Sequence, residues 1–258
     1  MENKKEQKKN IILSKYIPLL EGHYVIRSLE KNDLLNDRNH EECFIIKEGS
    51  VLARDKSGKT TTLNKGEPIG FAEAMVSRPY ELKYILKEDT IVFAFENSLI
   101  RKTIASSSSL MRGITKYTLD RIFHNSKSKT YHLIDDGFLS VQEDKFPLKE
   151  YGDGDIIFMV NQKPKFFFYV ESGKVQLVSK NEKVVATFND GESFGEMALF
   201  TNTLRSVTAK SVGKTTLQVV SAEFINNYFD NEDPLIKFCL LSIFGRLKAM
   251  NNLRNLVL

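Results

Sequence analysis

The stretch FFYVESGKV (Phe167–Val175) decides the fold, because it recurs in altered form as CFIIKEGSV (Cys43–Val51). A second pair of matching segments follows, in which GEPIG (Gly66–Gly70) corresponds to GESFG (Gly191–Gly195). Nearly the same length of chain separates the two members of each pair. This spacing far exceeds the period of about 20–50 residues found in stacked repeat proteins. The sequence therefore predicts one type of domain that is present twice.

Each copy has the same order of elements, with short strands before helices. In the second copy, segments rich in Val, Ile, Phe and Tyr are separated by Gly, Asn and Asp, which is typical of antiparallel β-structure. Gly173 is expected to form a turn between two strands. We predict a mainly β fold with helices, in two tandem domains at 1–125 and 126–258. The strands predicted for the second copy are Asp155–Val160, Lys165–Val170, Lys174–Val178, Val184–Phe188, Ser206–Lys210 and Thr216–Val220.

The hydrophobic period becomes helical after the last strand of each copy. In the first copy, Ser98–Phe123 is a helical stretch interrupted at Ala105–Ser109, and Asn125–Lys129 is the predicted linker. In the second copy, Asp233 and Pro234 are suited to the N-cap and the first position of a long C-terminal helix. Its apolar stripe suits packing on its own barrel or on a second chain in a homodimer. The stripe consists of Ile236, Leu240, Ile243, Leu247 and Met250.

The segment GESFGEMALFTNTLRSVTA (Gly191–Ala209) combines residue types that recognise an anion and a hydroxyl group. Gly195 allows a tight turn and a close approach of the backbone to a ligand. The short helical turn expected after it has N–H groups that favour an anion, and Arg205 adds a two-pronged donor. Glu196 repels phosphate, but its carboxylate accepts well from a sugar hydroxyl. Together these groups indicate a sugar phosphate as the ligand.

This segment resembles the phosphate-binding cassette of cyclic nucleotide-binding domains, which occur in cAMP receptor transcription factors, kinase regulatory subunits and cyclic nucleotide-gated channels. The strand segments Gly154–Phe158 and Phe168–Val175 extend the resemblance, which implies a β-roll (jelly-roll-like) fold for each domain. The cassette residues that match are Gly191, Glu192, Phe194, Gly195, Glu196, Ala198, Leu199, Arg205, Ser206, Thr208 and Ala209.

The resemblance also implies a role for each site residue. Glu196 accepts the ribose 2′-OH, Arg205 pairs with a phosphate oxygen, and Ser206 adds a hydroxyl to the phosphate or base. Backbone N–H groups near Ala198 and Leu199 hold the cyclic phosphate, whereas the side chains of Phe194 and Leu199 pack. The alternative is that Glu196 and Arg205 form only a surface ion pair with each other. The implied ligand-binding residues are Phe194, Gly195, Glu196, Met197, Ala198, Leu199, Arg205 and Ser206.

The first copy departs from the cassette at the positions that carry charge. Phe71 stands where Glu196 stands in the second copy, and Tyr80 stands where the resemblance expects the arginine. Glu81 adds a negative charge beside Tyr80, although Arg78 lies nearby in the sequence. We expect the first copy to bind no ligand or a different one, and to serve as a scaffold and partner surface.

Composition and motifs argue against several other functions. Lys and Arg total 37 against 33 for Asp and Glu, and the excess is spread out rather than gathered in a nucleic-acid patch. None of the four histidines has the spacing of a metal site, and no catalytic motif is present, so we expect neither a metal nor an enzyme. We expect no membrane span, a cytoplasmic location, and two buried free thiols at Cys43 and Cys239.

The hypothesis that these observations favour is a receptor for cAMP or cGMP, with cAMP preferred. Ligand binding would draw the cassette inward, and the C-terminal helix, with lid residues within Met250–Leu256, would transmit the change to a separate effector protein. A protein-interaction scaffold with a vestigial pocket is the alternative. A DNA-binding regulator is a third possibility, but the sequence shows no helix-turn-helix after the long helix. We expect Arg205→Ala to abolish ligand binding and to leave the melting point of the ligand-free protein nearly unchanged.

Overall fold

The computed structural model describes residues 13–32, 35, 41–123 and 146–257, of which 248 and 251–257 are described by their backbone alone. These residues divide into two compact units. The first unit lies within residues 1–107 and 233–243, and the second within 108–128, 134–232 and 244–258, apart from the residues not described. The predicted linker Asn125–Lys129 lies outside the described residues.

The first unit contains two antiparallel sheets. One has the strand order β1-β7-β2-β5 and the other the order β4-β3-β6. Leucine, isoleucine, valine and aromatic side chains of these strands form its core. The strands are β1 (Val25–Leu29), β2 (Glu42–Glu48), β3 (Val51–Arg54), β4 (Thr60–Leu63), β5 (Pro68–Ile69), β6 (Lys83–Leu86) and β7 (Thr90–Glu96). The unit also contains a 3-10 helix (Ile17–Leu20) and the helices α1 (Phe71–Met75) and α2 (Asn97–Ser106).

The described residues of the second unit form a six-stranded antiparallel sheet. Its main order is β11-β10-β13-β8, with β12 paired to β10 and β9 paired to β13. The strands are β8 (Leu148–Tyr151), β9 (Ile156–Phe158), β10 (Phe166–Val178), β11 (Val184–Asn189), β12 (Ser193–Phe194) and β13 (Thr208–Ser221). Mainly β content with helices and antiparallel pairing is therefore the observed fold class.

Two pairs of predicted strands are each a single continuous strand. Lys165–Val170 and Lys174–Val178 belong to β10 apart from Lys165, which precedes it. Ser206–Lys210 and Thr216–Val220 belong to β13 apart from Ser206 and Val207, which precede it. Gly173 is thus not the expected turn between strands. It has φ of +100° at a point where the pairing of β10 with β13 shifts register. A Cβ there would lie 2.6 Å from the Lys214 carbonyl oxygen, so glycine allows the two strands to approach at an irregularity.

The second unit also contains α3 (Ser109–Phe123), α4 (Glu196–Phe200) and α5 (Ala222–Asp230), and the C-terminal helix is α6 (Pro234–Val257). Asp233 Oδ1 accepts from the Leu235 N–H at 2.7 Å, which is N-cap geometry. α3 lies in the second unit although it falls within the predicted 1–125 domain, and α6 contributes its first part to the first unit.

The first four residues of the apolar stripe of α6 are buried, and the fifth, Met250, is half-buried. Ile236, Leu240, Ile243 and Leu247 are each at most 3% exposed. This burial favours packing of the first part of the stripe within the chain over its packing on a second chain. Cys43 and Cys239 are free and buried, as expected. No described helix combines the length and hydropathy that a membrane span needs.

Candidate functional site

Within the cassette, the backbone turns from the end of β12 into α4. Gly195 has φ of +86° and occupies the N-cap position of this five-residue helix. A side chain at Gly195 would be strained by that φ and would lie 3.0 Å from an Arg205 guanidinium nitrogen. Glycine at this position therefore brings the arginine against the backbone of the turn.

Arg205 is buried, with 4% of its surface exposed. Its guanidinium donates to the Gly195 carbonyl at 2.5 Å and to the Phe166 carbonyl. Its central carbon lies 4.0 Å from the centroid of the Phe158 ring. Hydrogen bonds between its backbone and the turn at Asn161 and Gln162 fix the start of the side chain. The guanidinium contacts stabilise the ligand-free fold and are lost in Arg205→Ala, so we expect this variant to melt at a lower temperature and not at the nearly unchanged one that the sequence suggests.

Arg205 carries its charge in an environment with little negative charge. Burial lowers the pKa of Arg205 to about 10, and the negative charge of Glu196 opposes that shift. The guanidinium is therefore still protonated at neutral pH. Among the described residues it forms no ion pair, and two of its five N–H groups donate to backbone carbonyls. A buried cation with donors left over is suited to an anion.

Glu196, the first residue of α4, does not form an ion pair with Arg205. Its Oε1 accepts at 2.7 Å from the guanidinium of Arg121, a residue of α3. Its Oε2 is buried and has no hydrogen-bond partner among the described residues. The alternative of a surface ion pair between Glu196 and Arg205 is thus wrong, because both side chains are buried and Glu196 pairs elsewhere.

No local sequence signal points to Arg121 as a residue of this site. It lies 75 residues before Glu196 in a helix that the sequence assigns to the first copy. Its guanidinium carbon lies 5.2 Å from the centroid of the Phe188 ring. Tyr117 lies one helical turn before Arg121 in α3. Burial is the main cause that raises the pKa of Tyr117, and the nearby Tyr169 raises it further.

The remaining predicted site residues have different surroundings. The Phe194 side chain is fully buried and packs on the rings of Phe168 and Phe188. Its predicted packing role therefore fits the structure, and its ring has no surface for a ligand. Met197, Ala198 and Leu199 lie in α4 and are half-buried. Ser206, the residue that follows Arg205, is exposed. Most side chains of the proposed lid, Met250–Leu256, lie outside the described residues.

The first unit has a tyrosine in the place of the arginine. The Tyr80 hydroxyl donates to the carbonyl of Glu42, the first residue of β2, as Arg205 donates to Phe166, the first residue of β10. A Cβ on Gly70, which has φ of +78°, would lie 2.3 Å from the Tyr80 ring. Burial raises the pKa of Tyr80 well above its usual range. The phenol is therefore neutral, and it fills the place where the second unit has a cation.

The described residues contain no group of three or more His, Cys, Asp or Glu side chains arranged to hold a metal ion. The family model of the cyclic nucleotide-binding domain matches residues 148–232. The matched residues extend from β8 to the residues just after α5 and include the whole cassette. They lie in the second unit.

Two curated relatives are a protein kinase regulatory subunit and a protein kinase. The chain is 22% identical over 190 residues to the cAMP-dependent protein kinase regulatory subunit of Schizosaccharomyces pombe, covering 72% of this chain and 44% of the relative. It is 42% identical over 109 residues to the cGMP-dependent protein kinase of Plasmodium berghei, covering 39% of this chain and 12% of the relative. The chain thus spans less than half the length of either relative. Among solved structures, the regulatory domain of Toxoplasma gondii PKA, crystallised with cAMP, covers 96% of this chain and is itself covered to 97%, at 14% identity and a TM-score of 0.34.

Proposed function

We propose that this chain is a cyclic nucleotide receptor that binds one cyclic mononucleotide, with cAMP preferred over cGMP, in the cassette of its second unit. The observation that carries the proposal is the pair of unused groups within residues that match the cyclic nucleotide-binding domain. Arg205 is a buried cation with donors to spare, and Glu196 Oε2 is a buried acceptor that receives no hydrogen bond from the part of the chain that the structure describes. A ribose cyclic phosphate has both an anion and a hydroxyl to offer.

The charges of the site favour an anionic ligand. Arg121 and Arg205 bring two positive charges, and Glu196 brings one negative charge. Burial lowers the pKa of Arg205, and the negative charge of Glu196 raises it, so the carboxylate stabilises the charged guanidinium. The single negative charge of a cyclic phosphate would bring the count to two of each sign. In a buried setting, such neutralisation is worth more than it would be at the surface.

The first unit is proposed to bind no cyclic nucleotide. Tyr80 fills the space beside Gly70 with a neutral ring, and Phe71 replaces the carboxylate that would accept a ribose hydroxyl. Glu73, two residues later, is fully buried, and one of its oxygens accepts from the Glu81 N–H at 3.3 Å. The two units would then be tandem copies of one domain type, of which the second keeps the ligand site.

The proposed output is non-enzymatic. Ligand binding at the cassette would be transmitted through the C-terminal helix α6 to a separate effector protein, with neither DNA nor a membrane as partner. The scaffold hypothesis remains the second candidate, and one observation favours it. Arg205 already bonds to backbone carbonyls and Glu196 already pairs with Arg121, so both key side chains have partners within the protein.

Isothermal titration calorimetry with cAMP, cGMP and 5′-AMP separates the two candidates. A receptor binds a cyclic nucleotide at one site per chain, and Glu196→Gln weakens that binding because a neutral amide accepts less strongly from the hydroxyl. Glu192→Gln is the matched control, since this cassette carboxylate accepts from the Asn189 N–H in its own turn. A scaffold with a vestigial pocket releases no binding heat with any of the three nucleotides. Two sites per chain would contradict the proposal for the first unit.

A further inference from the structure

The two oxygens of the Glu196 carboxylate are in different situations. Oε1 is 2.7 Å from the Arg121 guanidinium, and the Glu196 side chain is 4% exposed. Oε2 is equally enclosed but has no hydrogen-bond partner among the described residues. A buried carboxylate oxygen without a donor is costly. The arrangement is therefore incomplete on one side only, and a single additional donor would complete it.

Arg121 is itself held in place. It projects from α3, its guanidinium lies over the Phe188 ring at 5.2 Å, and its side chain is 22% exposed. Phe188 in turn belongs to the core of the second unit. A guanidinium fixed between an aromatic face and a carboxylate loses little freedom when it donates. Arg121 can therefore fix the plane and rotamer of the Glu196 carboxylate.

We propose that Arg121 is a positioning residue for the ligand's ribose: by binding Oε1 it orients Glu196 so that Oε2 accepts the 2′-hydroxyl. This inference rests on the proposed function, since it concerns the same site. It adds that recognition of the hydroxyl depends on a helix outside the residues that match the family model, because α3 precedes residue 148. The helix α3 thereby contributes to the ligand specificity of the cassette.

Removing Arg121 should selectively weaken the recognition of one chemical group of the ligand, the 2′-hydroxyl. If Arg121 only stabilised the fold, its removal would weaken the binding of every ligand to the same extent. If it orients Glu196, its removal weakens the contribution of the 2′-hydroxyl in addition to the loss of positive charge, which affects both ligands alike. The ligand without that hydroxyl, 2′-deoxy-cAMP, then loses less affinity than cAMP when Arg121 is replaced. The ratio of the two dissociation constants is thus the measurement that isolates the role of Arg121.

The experiment measures the affinities of cAMP and 2′-deoxy-cAMP for the wild-type chain, Arg121→Ala and Arg121→Lys by calorimetry. We expect the wild type to prefer cAMP by about tenfold or more, as for a hydrogen bond to a charged acceptor. Arg121→Ala should reduce that preference to about threefold or less. Arg121→Lys should restore part of it, because the cation returns without the planar fork. Retained binding of 2′-deoxy-cAMP shows that a variant is folded and its pocket intact.

Arg112→Ala is the matched control, since Arg112 is the other arginine of α3 and donates to Ser109 in its own helix. This control should keep the wild-type preference. An Arg121→Ala preference equal to that of the wild type overturns the inference, and so does an equal loss of affinity for both ligands. A wild type that binds both ligands equally also overturns it, because Glu196 then does not read the hydroxyl. A wild type that binds neither nucleotide refutes the proposed function instead.

Discussion

Replacing Arg205 with alanine should affect the stability of the ligand-free protein as well as ligand binding. The substitution removes the donor from the carbonyls of Gly195 and Phe166 and removes the guanidinium from the Phe158 ring. Each hydrogen bond is worth about 1 kcal/mol and the cation–π contact about 0.5–2 kcal/mol. Relief from burying a charge offsets part of this loss. We expect Arg205→Ala to lower the free energy of unfolding by about 2 kcal/mol.

The assay is urea unfolding with and without saturating cAMP. At about 100 times its dissociation constant, cAMP should stabilise the wild type by about 2.7 kcal/mol. Arg205→Ala should lose most of that increment in addition to its lower intrinsic stability. Arg205→Lys should keep a charge near the phosphate but lose the forked donation to two carbonyls. It should therefore fall between the wild type and the alanine variant in both quantities.

Arg27→Ala serves as the control for loss of an arginine. Arg27 forms a salt bridge with Glu42 at 2.6 Å in the first unit, with much of its side chain exposed. Such a pair contributes about 0–1 kcal/mol, so this variant should unfold nearly as the wild type does and keep the cAMP increment. If ligand-free Arg205→Ala unfolds like Arg27→Ala, the carbonyl contacts carry no measurable energy. If Arg205→Ala keeps the full cAMP increment, Arg205 is not the anchor of the phosphate.

Three further predictions concern the rest of the chain. Tyr80→Phe removes the hydroxyl that donates to a strand carbonyl, so it should cost about 1 kcal/mol in urea unfolding and create no second cAMP site in calorimetry. Burial raises the pKa of Cys43 and of Cys239 above the ordinary 9.0. Their stabilising effect is complete below pH 9 and is lost above it, because only the unfolded thiols then ionise. Unfolding under reducing conditions should show a loss near pH 10 of about 1.4 kcal/mol per thiol, which is absent when both are alanine. Asp233→Ala removes the N-cap of α6 and should cost about 1 kcal/mol, whereas Asp233→Asn should cost less.

The cassette was accessible to sequence reasoning because its geometry is local. Gly195 marks a positive φ, Glu196 follows it as the first residue of a short helix, and Arg205 returns to the same turn ten residues later. Residue type and spacing are sufficient when the groups that meet are close in sequence. The N-cap at Asp233 was predictable for the same reason, since its acceptor and donor are two residues apart.

Two features were not accessible from the sequence. Gly173 indicates a positive φ, but a positive φ occurs both where a chain reverses and where a continuous strand shifts register. Only the partner strand β13, which runs past it without a break, distinguishes the two. Arg121 was missed because its role depends on which unit α3 packs against, and a helical pattern gives the apolar face but not its partner.

The comparison of Tyr80 with Arg205 separates what the fold requires from what the ligand requires. In each unit, one long side chain lies against the cassette glycine and donates to the carbonyl of the first residue of a strand. A neutral phenol and a charged guanidinium both meet that structural need. Only the guanidinium also brings a charge and further donors. The position is therefore occupied for packing in both units, whereas the proposed anion binding depends on the charge and the spare donors that the guanidinium has and the phenol lacks.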